Sequence, residues 1–283
     1  MTPRLLILDA YDEAGRAGLA RANATFAGEL YRRMLAGLAP EAQLDLVEFS
    51  TAAGFVLPTG VALSDYDGVL WTGSSMTVHH DTPAVREQLA FARAAFAAGV
   101  PSFGSCWAAQ VAVTAAGGRC EPNPKGREFG VARRITPTDA GRAHPMYQAK
   151  PAVFDGLTSH EDHIVELPPG AVVLAGNEFS PVQAVVVEHG RGSFWAVQYH
   201  PEYALADIAA LSIAREAQLL AQGFWPTPAD ADRYRAELLA LQAEPDRADL
   251  RLRLGIDDDL LEPSIRTREV ANWIRTSRIP RSK

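Results

Sequence analysis

The chain has 283 residues, 47% of them hydrophobic and 22% charged, with a formal net charge of −7. That balance supports a full core, excludes global disorder, and argues against a general affinity for nucleic acid or an anionic membrane. Two cysteines, Cys106 and Cys120, give no disulfide framework, and neither a signal peptide nor a bilayer-spanning run is evident, so a soluble cytoplasmic protein is expected.

Arg4–Ala10 reads as a strand. Ala22–Leu38 places Phe26, Leu30, Met34 and Leu38 one helical turn apart. Leu44–Phe49 and Asp67–Thr72 read as further strands, the second running into Gly73-Ser74-Ser75. Pro83–Ala98 is an Ala-rich helix with proline in its first turn and Gly99 at its end. Val100–Ser105 is the next strand, and Trp107–Ala116 the helix behind it, stopped by Gly117-Gly118. Such alternation implies an α/β fold, a mostly parallel central sheet flanked by helices, with ligands at the carboxyl ends of strands. Ser74 and Cys106 both fall at such ends. A small β-rich portion follows between Arg127 and Tyr199, with strands over Ala171–Ala175, Val182–Glu188 and Ser193–Gln198 and a turn at His189-Gly190-Arg191-Gly192. One helix is expected from about Leu205 to Ala221.

Gly223-Phe224-Trp225-Pro226 then punctuates the chain, dividing a main domain (1–223) from a helical C-terminal extension (224–283). Helices over Asp230–Ala243 and Glu262–Thr276 are expected to pack on the main domain, because Trp225, Leu238, Leu239 and Trp273 need burial. Arg275, Arg278, Arg281 and Lys283 read as a solvated basic tail.

The chemistry concentrates on Cys106, between Gly104-Ser105 and the start of a helix. A lone cysteine is usually a small buried hydrophobe, which is the reading for Cys120. A thiol on a strand-to-helix turn instead lies in the field of the helix N-terminus, which favours its ionised form. His200 follows the apolar run Phe194–Tyr199 and so lies at a strand mouth, with Glu202 two residues on to orient it as a base. The backbone amides of Ser74 and Trp107 are the candidate oxyanion donors. His79-His80-Asp81 lacks a third ligand and reads as a solvated loop; His144 and His189 read as structural or exposed. Gly15-Arg16-Ala17-Gly18 lacks the continuation of a phosphate loop, so neither a metal nor a cofactor is expected.

These residues resemble a known family. Gly104-Ser105-Cys106-Trp107-Ala108-Ala109-Gln110 resembles the nucleophile motif of class I, or triad, glutamine amidotransferases, and His200-Pro201-Glu202 resembles its His-Pro-Glu. Asp67–Ser75 resembles its oxyanion loop, and Ser159-His160-Glu161-Asp162 the glutamine-contacting loop of the GMP synthase glutaminase domain. All four occur in the family's order, over roughly residues 4–220. The resemblance implies a flavodoxin-like three-layer fold and cysteine-dependent hydrolysis of a γ-glutamyl carboxamide through a thioester, releasing glutamate and ammonia. Cys106, His200 and Glu202 would be the triad, with Gly73, Gln110, Ser159 and His160 contacting substrate. Ala108 replaces a family glycine, and Trp107 would either shape the leaving-group side of the pocket or simply pack. No synthetase or nucleotide motif follows residue 225, so an ammonia acceptor would be a separate synthetase subunit. The alternatives are a free-standing γ-glutamyl hydrolase acting on a larger amide, or a non-catalytic binding protein of the same fold; the extension could also support a homodimer.

Overall fold

The computed structural model describes residues 2–277; Arg278, Arg281 and Lys283 of the basic tail lie outside them. In chain order the strands are β1 (Arg4–Asp9), β2 (Gln43–Glu48), β3 (Gly68–Trp71), β4 (Ser102–Ser105), β5 (Arg119–Pro122), β6 (Glu128–Pro137), β7 (Phe154–His160), β8 (Asp162–Glu166), β9 (Ala171–Gly176), β10 (Ala184–His189) and β11 (Gly192–Val197). Nine of them form one sheet in the order β2-β1-β3-β4-β11-β10-β9-β6-β7, while β5 and β8 pair separately. Strands β2, β1, β3, β4 and β11 are mutually parallel. The β-rich portion continues the same sheet in antiparallel fashion, starting from the β10–β11 hairpin.

The short buried runs in the parallel half explain the layers. On β3 and β4, successive side chains face opposite sides, as the strand period of two requires. Val69 and Trp71 enter one apolar cluster with Trp107 and Phe96, under helices Pro83–Ala98 and Trp107–Ala115. Leu70 and Phe103 enter the opposite cluster with Tyr31, Trp195 and Trp273, under helices Ala27–Leu38 and Arg268–Thr276. The Pro83–Ala98 helix has the expected ends, with Thr82 Oγ1 accepting from Val85 N and Gly99 left-handed at φ 73°.

Other boundaries move for identifiable reasons. The helix expected from Ala22 starts at Ala27, because the Asp9 carboxylate at the end of β1 accepts from Gly28 N at 2.8 Å and caps it. Residues Glu13–Arg21 form a separate helix, capped by Asp12, whose Oδ1 accepts from Gly15 N. The helix expected over Leu205–Ala221 breaks at Arg215 into Leu205–Ala214 and Glu216–Ala221. Glu262–Thr276 is likewise two helices, Pro263–Arg266 and Arg268–Thr276.

The C-terminal helices share the core. Trp273 packs on Phe103 and over Gly68, where an added β-carbon would lie 2.6 Å from the indole. Leu238 is buried with Leu157 and Ile208. Leu239, in contrast, is 50% exposed, since one position along a helix turns away from the face that Leu238 and Leu241 bury. Trp225 is half-buried against Phe129 and Tyr234.

Candidate active site

Cys106 joins β4 to its helix with φ 54° and ψ −103°, a strained backbone for a residue with a β-carbon. Strand pairing holds it there: Cys106 N donates to Val197 O on β11 at 2.7 Å. The turn is tight because Gly104 has no side chain. A β-carbon there would come within 2.3 Å of Ala108 Cβ and 2.8 Å of Trp71 O. Ala108 therefore fits in place of the family's glycine because Gly104 leaves the room.

His200 is fixed by its own backbone, its N donating to Leu157 O of β7 at 2.7 Å, and by Tyr203, whose ring stacks on the imidazole at 3.9 Å. Glu202 Oε1 lies 2.7 Å from His200 Nδ1. The same oxygen accepts from Ser105 Oγ at 2.8 Å, and Ser105 Oγ accepts from the Tyr31 hydroxyl at 2.8 Å. This buried chain orients Glu202 from the opposite face of the sheet. Burial alone would lower the His200 pKa. The Glu202 carboxylate and the Cys106 thiol outweigh it and hold the imidazole up at about 9. Cys120 offers the contrast, its thiol pushed up to about 12 chiefly by burial.

Ser74, Cys106, Trp107, Gln110, Ser159 and His160 line one cavity of about 230 Å³. Among the described residues, neither Ser74 N nor Trp107 N donates to a protein acceptor, which leaves both available to an oxyanion. The Trp107 ring itself turns into the core, where Nε1 donates to Gln88 Oε1 at 2.7 Å, so its indole packs in the apolar cluster. Gln110 is buried, yet its carboxamide has no hydrogen-bond partner among the described residues. Ser159 O lies 3.8 Å from Cys106 Sγ, and Ser159 Oγ accepts from Arg215. The His160 ring is otherwise engaged: Nε2 lies 2.9 Å from Glu128 Oε2 and Nδ1 2.9 Å from Asp162 O. Any contact of His160 with substrate is therefore left to its backbone.

Gly73 lies directly over the histidine, where a β-carbon would approach His200 Cε1 to 2.9 Å. Gly73→Ala is expected to displace the imidazole and lower kcat/KM by roughly 10²-fold with little change in melting temperature. Steady-state kinetics beside thermal unfolding checks this; unchanged kinetics would remove Gly73 from the site.

Sequence reasoning missed Tyr31, Ser105, Arg127 and Arg215. Arg127 lines the cavity and pairs with Glu161; burial and then the neighbouring Arg215 charge lower its pKa. His79 sits near Asp162, with Nδ1 3.6 Å from its carboxylate, and no cluster of three or more metal-ligating side chains occurs among the described residues. His144 packs edge-on against Trp195 and His189 against Phe96, as the structural reading expects.

The family model described as glutamine amidotransferase class-I matches residues 34–214. A γ-glutamyl-L-1-hydroxyisopropylamide hydrolase from a Pseudomonas species is 32% identical over 99% of this chain and 95% of its own length. A GMP synthase from Thermomicrobium roseum is 30% identical over 62% of this chain, which spans only 30% of that protein. A glutamine amido transferase from Methylobacillus flagellatus has the same fold, with TM-score 0.66 and 20% identity over 100% of this chain and 97% of that one. On a nucleophile turn, a fold and a sequence match that agree, this chain belongs to the class-I glutamine amidotransferase family.

Proposed function

We propose that the protein is a free-standing γ-glutamyl amide hydrolase that works through a glutamyl thioester on Cys106. The observation that carries this reading is the buried Cys106, His200 and Glu202 arrangement beside two unpaired amides on one cavity wall. Cys106 Sγ attacks the γ-carbonyl carbon, and the resulting oxyanion receives hydrogen bonds from Ser74 N and Trp107 N. The imidazolium of His200 gives its proton to the amine nitrogen as the C–N bond breaks. Water then attacks the thioester, His200 takes its proton, and the C–S bond breaks to give glutamate and the thiolate.

A larger amine than ammonia is favoured by one finding. The match to the γ-glutamyl-L-1-hydroxyisopropylamide hydrolase spans nearly all of both proteins, whereas the GMP synthase match spans a third of that protein or less. Hydrolysis of glutamine itself is the second reading, supported by the GMP synthase relatives. Rapid acid quenching during turnover of γ-glutamyl isopropylamide should leave a glutamyl adduct on Cys106, detectable by mass spectrometry, with one amine released per glutamate. Ammonia release from glutamine without turnover of the alkylamide would select the second reading, and no adduct with either substrate would sink both.

A further inference from the structure

The helix break at Arg215 carries no glycine or proline and has no cause in the local sequence. Its effect is to bring a guanidinium to the cavity that holds Cys106. Arg215 lines that cavity, donates from Nη1 to Ser159 Oγ, and lies with Nη2 3.5 Å from the Tyr11 hydroxyl. Both partners are neutral. No carboxylate lies within 4 Å of Arg215 among the described residues, whereas its neighbour Arg127 is paired with Glu161, whose carboxylate also accepts from Gln218 and Gln222. A half-buried guanidinium left with neutral partners is suited to an incoming anion, preferably a planar carboxylate.

The cavity also offers the opposite charge. Asp162 is buried on its lining, its carboxylate accepts no hydrogen bond from the described residues, and among their basic side chains only the His79 imidazole comes within 4 Å of it. One uncompensated cation and one underused anion in a single small cavity match a group carrying both charges. The α-carbon end of a γ-glutamyl compound is such a group, and an alkylamine leaving group is not.

Building on the thioester reading, we infer that Arg215 is a specificity-determining residue that binds the α-carboxylate of a γ-L-glutamyl substrate, with Asp162 on the side of the α-ammonium. The helix break is then a binding device: it positions one arginine over Ser159, whose carbonyl already faces the nucleophile.

The test pairs substrate and enzyme changes. Kcat/KM is measured for γ-glutamyl isopropylamide and for its analogue with the α-carboxylate converted to a neutral carboxamide, using wild type, Arg215→Gln and Arg215→Lys. Wild type is expected to prefer the free carboxylate by about 10²-fold, as for a charged hydrogen-bonded pair. Arg215→Gln should lose nearly all of that preference while losing little rate on the capped analogue, and Arg215→Lys should restore part of it. Equal losses on both substrates would mean a merely structural role and overturn the assignment. So would a preference that survives in Arg215→Gln. γ-Glutamylglycine against γ-glutamyl methylamide forms the control: a preference for the glycine compound that depends on Arg215 would move the carboxylate to the amine side and overturn the inference. Absence of Cys106-dependent turnover in wild type defeats the hydrolase reading itself, whereas robust turnover without discrimination by Arg215 defeats only the inference.

Discussion

Cys106→Ala is expected to reduce turnover of γ-glutamyl amides by on the order of 10⁴-fold or more, and Glu202→Gln by roughly 10²- to 10⁴-fold, with different pH behaviour. The first removes the atom that bonds to substrate. The second leaves nucleophile and base in place but removes the charge that sustains the imidazolium. In the folded protein, burial opposes that charge, and only the Glu202 carboxylate and Cys106 thiol lift His200 to about 9. The alkaline limb of the kcat/KM profile should therefore lie near 9, reporting the coupled site. With Glu202 neutral, burial wins and the limb should move toward acid by more than one unit. The folded-state value is raised above the ordinary 6.5, so the stability it confers is fully present below about 6.5 and disappears as pH rises through about 9. A pH-rate series on both variants decides the matter. An alkaline limb unmoved in Glu202→Gln would show that another group governs His200, and appreciable activity in Cys106→Ala would end the thioester mechanism.

The parts of this site visible in the sequence are those announced by local signals. Cys106 follows an apolar strand and opens a helix, and His200 stands at the end of another strand with Glu202 within reach. Ser105 carried a weaker signal: a hydroxyl inside a fully buried strand must find a partner, but nothing local names it. Its partners, Glu202 and Tyr31, are 97 and 74 positions away. Arg215 was hidden for a different reason. Leu205–Ala221 has uninterrupted helical composition, so the break becomes visible only with β7 and Ser159 beside it. His160 shows the converse, a residue that its motif placed toward substrate and whose ring is tied to Glu128 in the wall behind the cavity. The fold was legible in the parallel half because the apolar runs of β1 and β3 alternate there with well-punctuated helices. The antiparallel wing was less so, since exposed and buried positions mix along β6.

Lys150→Met is expected to destabilise the protein by about 3–5 kcal/mol, through a pair that ties the last helix to the segment carrying His200 of the proposed triad. Lys150 Nζ lies 2.9 Å from Glu269 Oε1, donates to Ile265 O at 2.8 Å, and sits 4.5 Å from the centre of the Phe154 ring. Its side chain is 2% exposed and that of Glu269 0%. Glu269 also accepts from the Tyr199 hydroxyl, which is hydrogen-bonded to Tyr147. Burial first, and then the Glu269 carboxylate, push both phenols well above their ordinary range, so each remains a donor. Removing the ammonium leaves a carboxylate buried with two phenols and no cation, and that uncompensated charge is the source of the cost. In a chain of this size the loss corresponds to a fall in melting temperature of roughly 10 °C. Because Tyr199 directly precedes His200, the hydrogen bonds that relax are those holding the proposed base behind β11, and kcat should fall well below the unfolding temperature. Denaturant unfolding of Lys150→Met and of Lys150→Met with Glu269→Gln separates charge from packing. The second change should recover much of the loss if the stranded carboxylate causes it. Destabilisation under about 1 kcal/mol in the single variant would show that the pair contributes no more than a surface contact, and that the C-terminal helix is held by Val270, Trp273 and Ile274 with the Asn272 hydrogen bonds to Met146 O and Gln148 O.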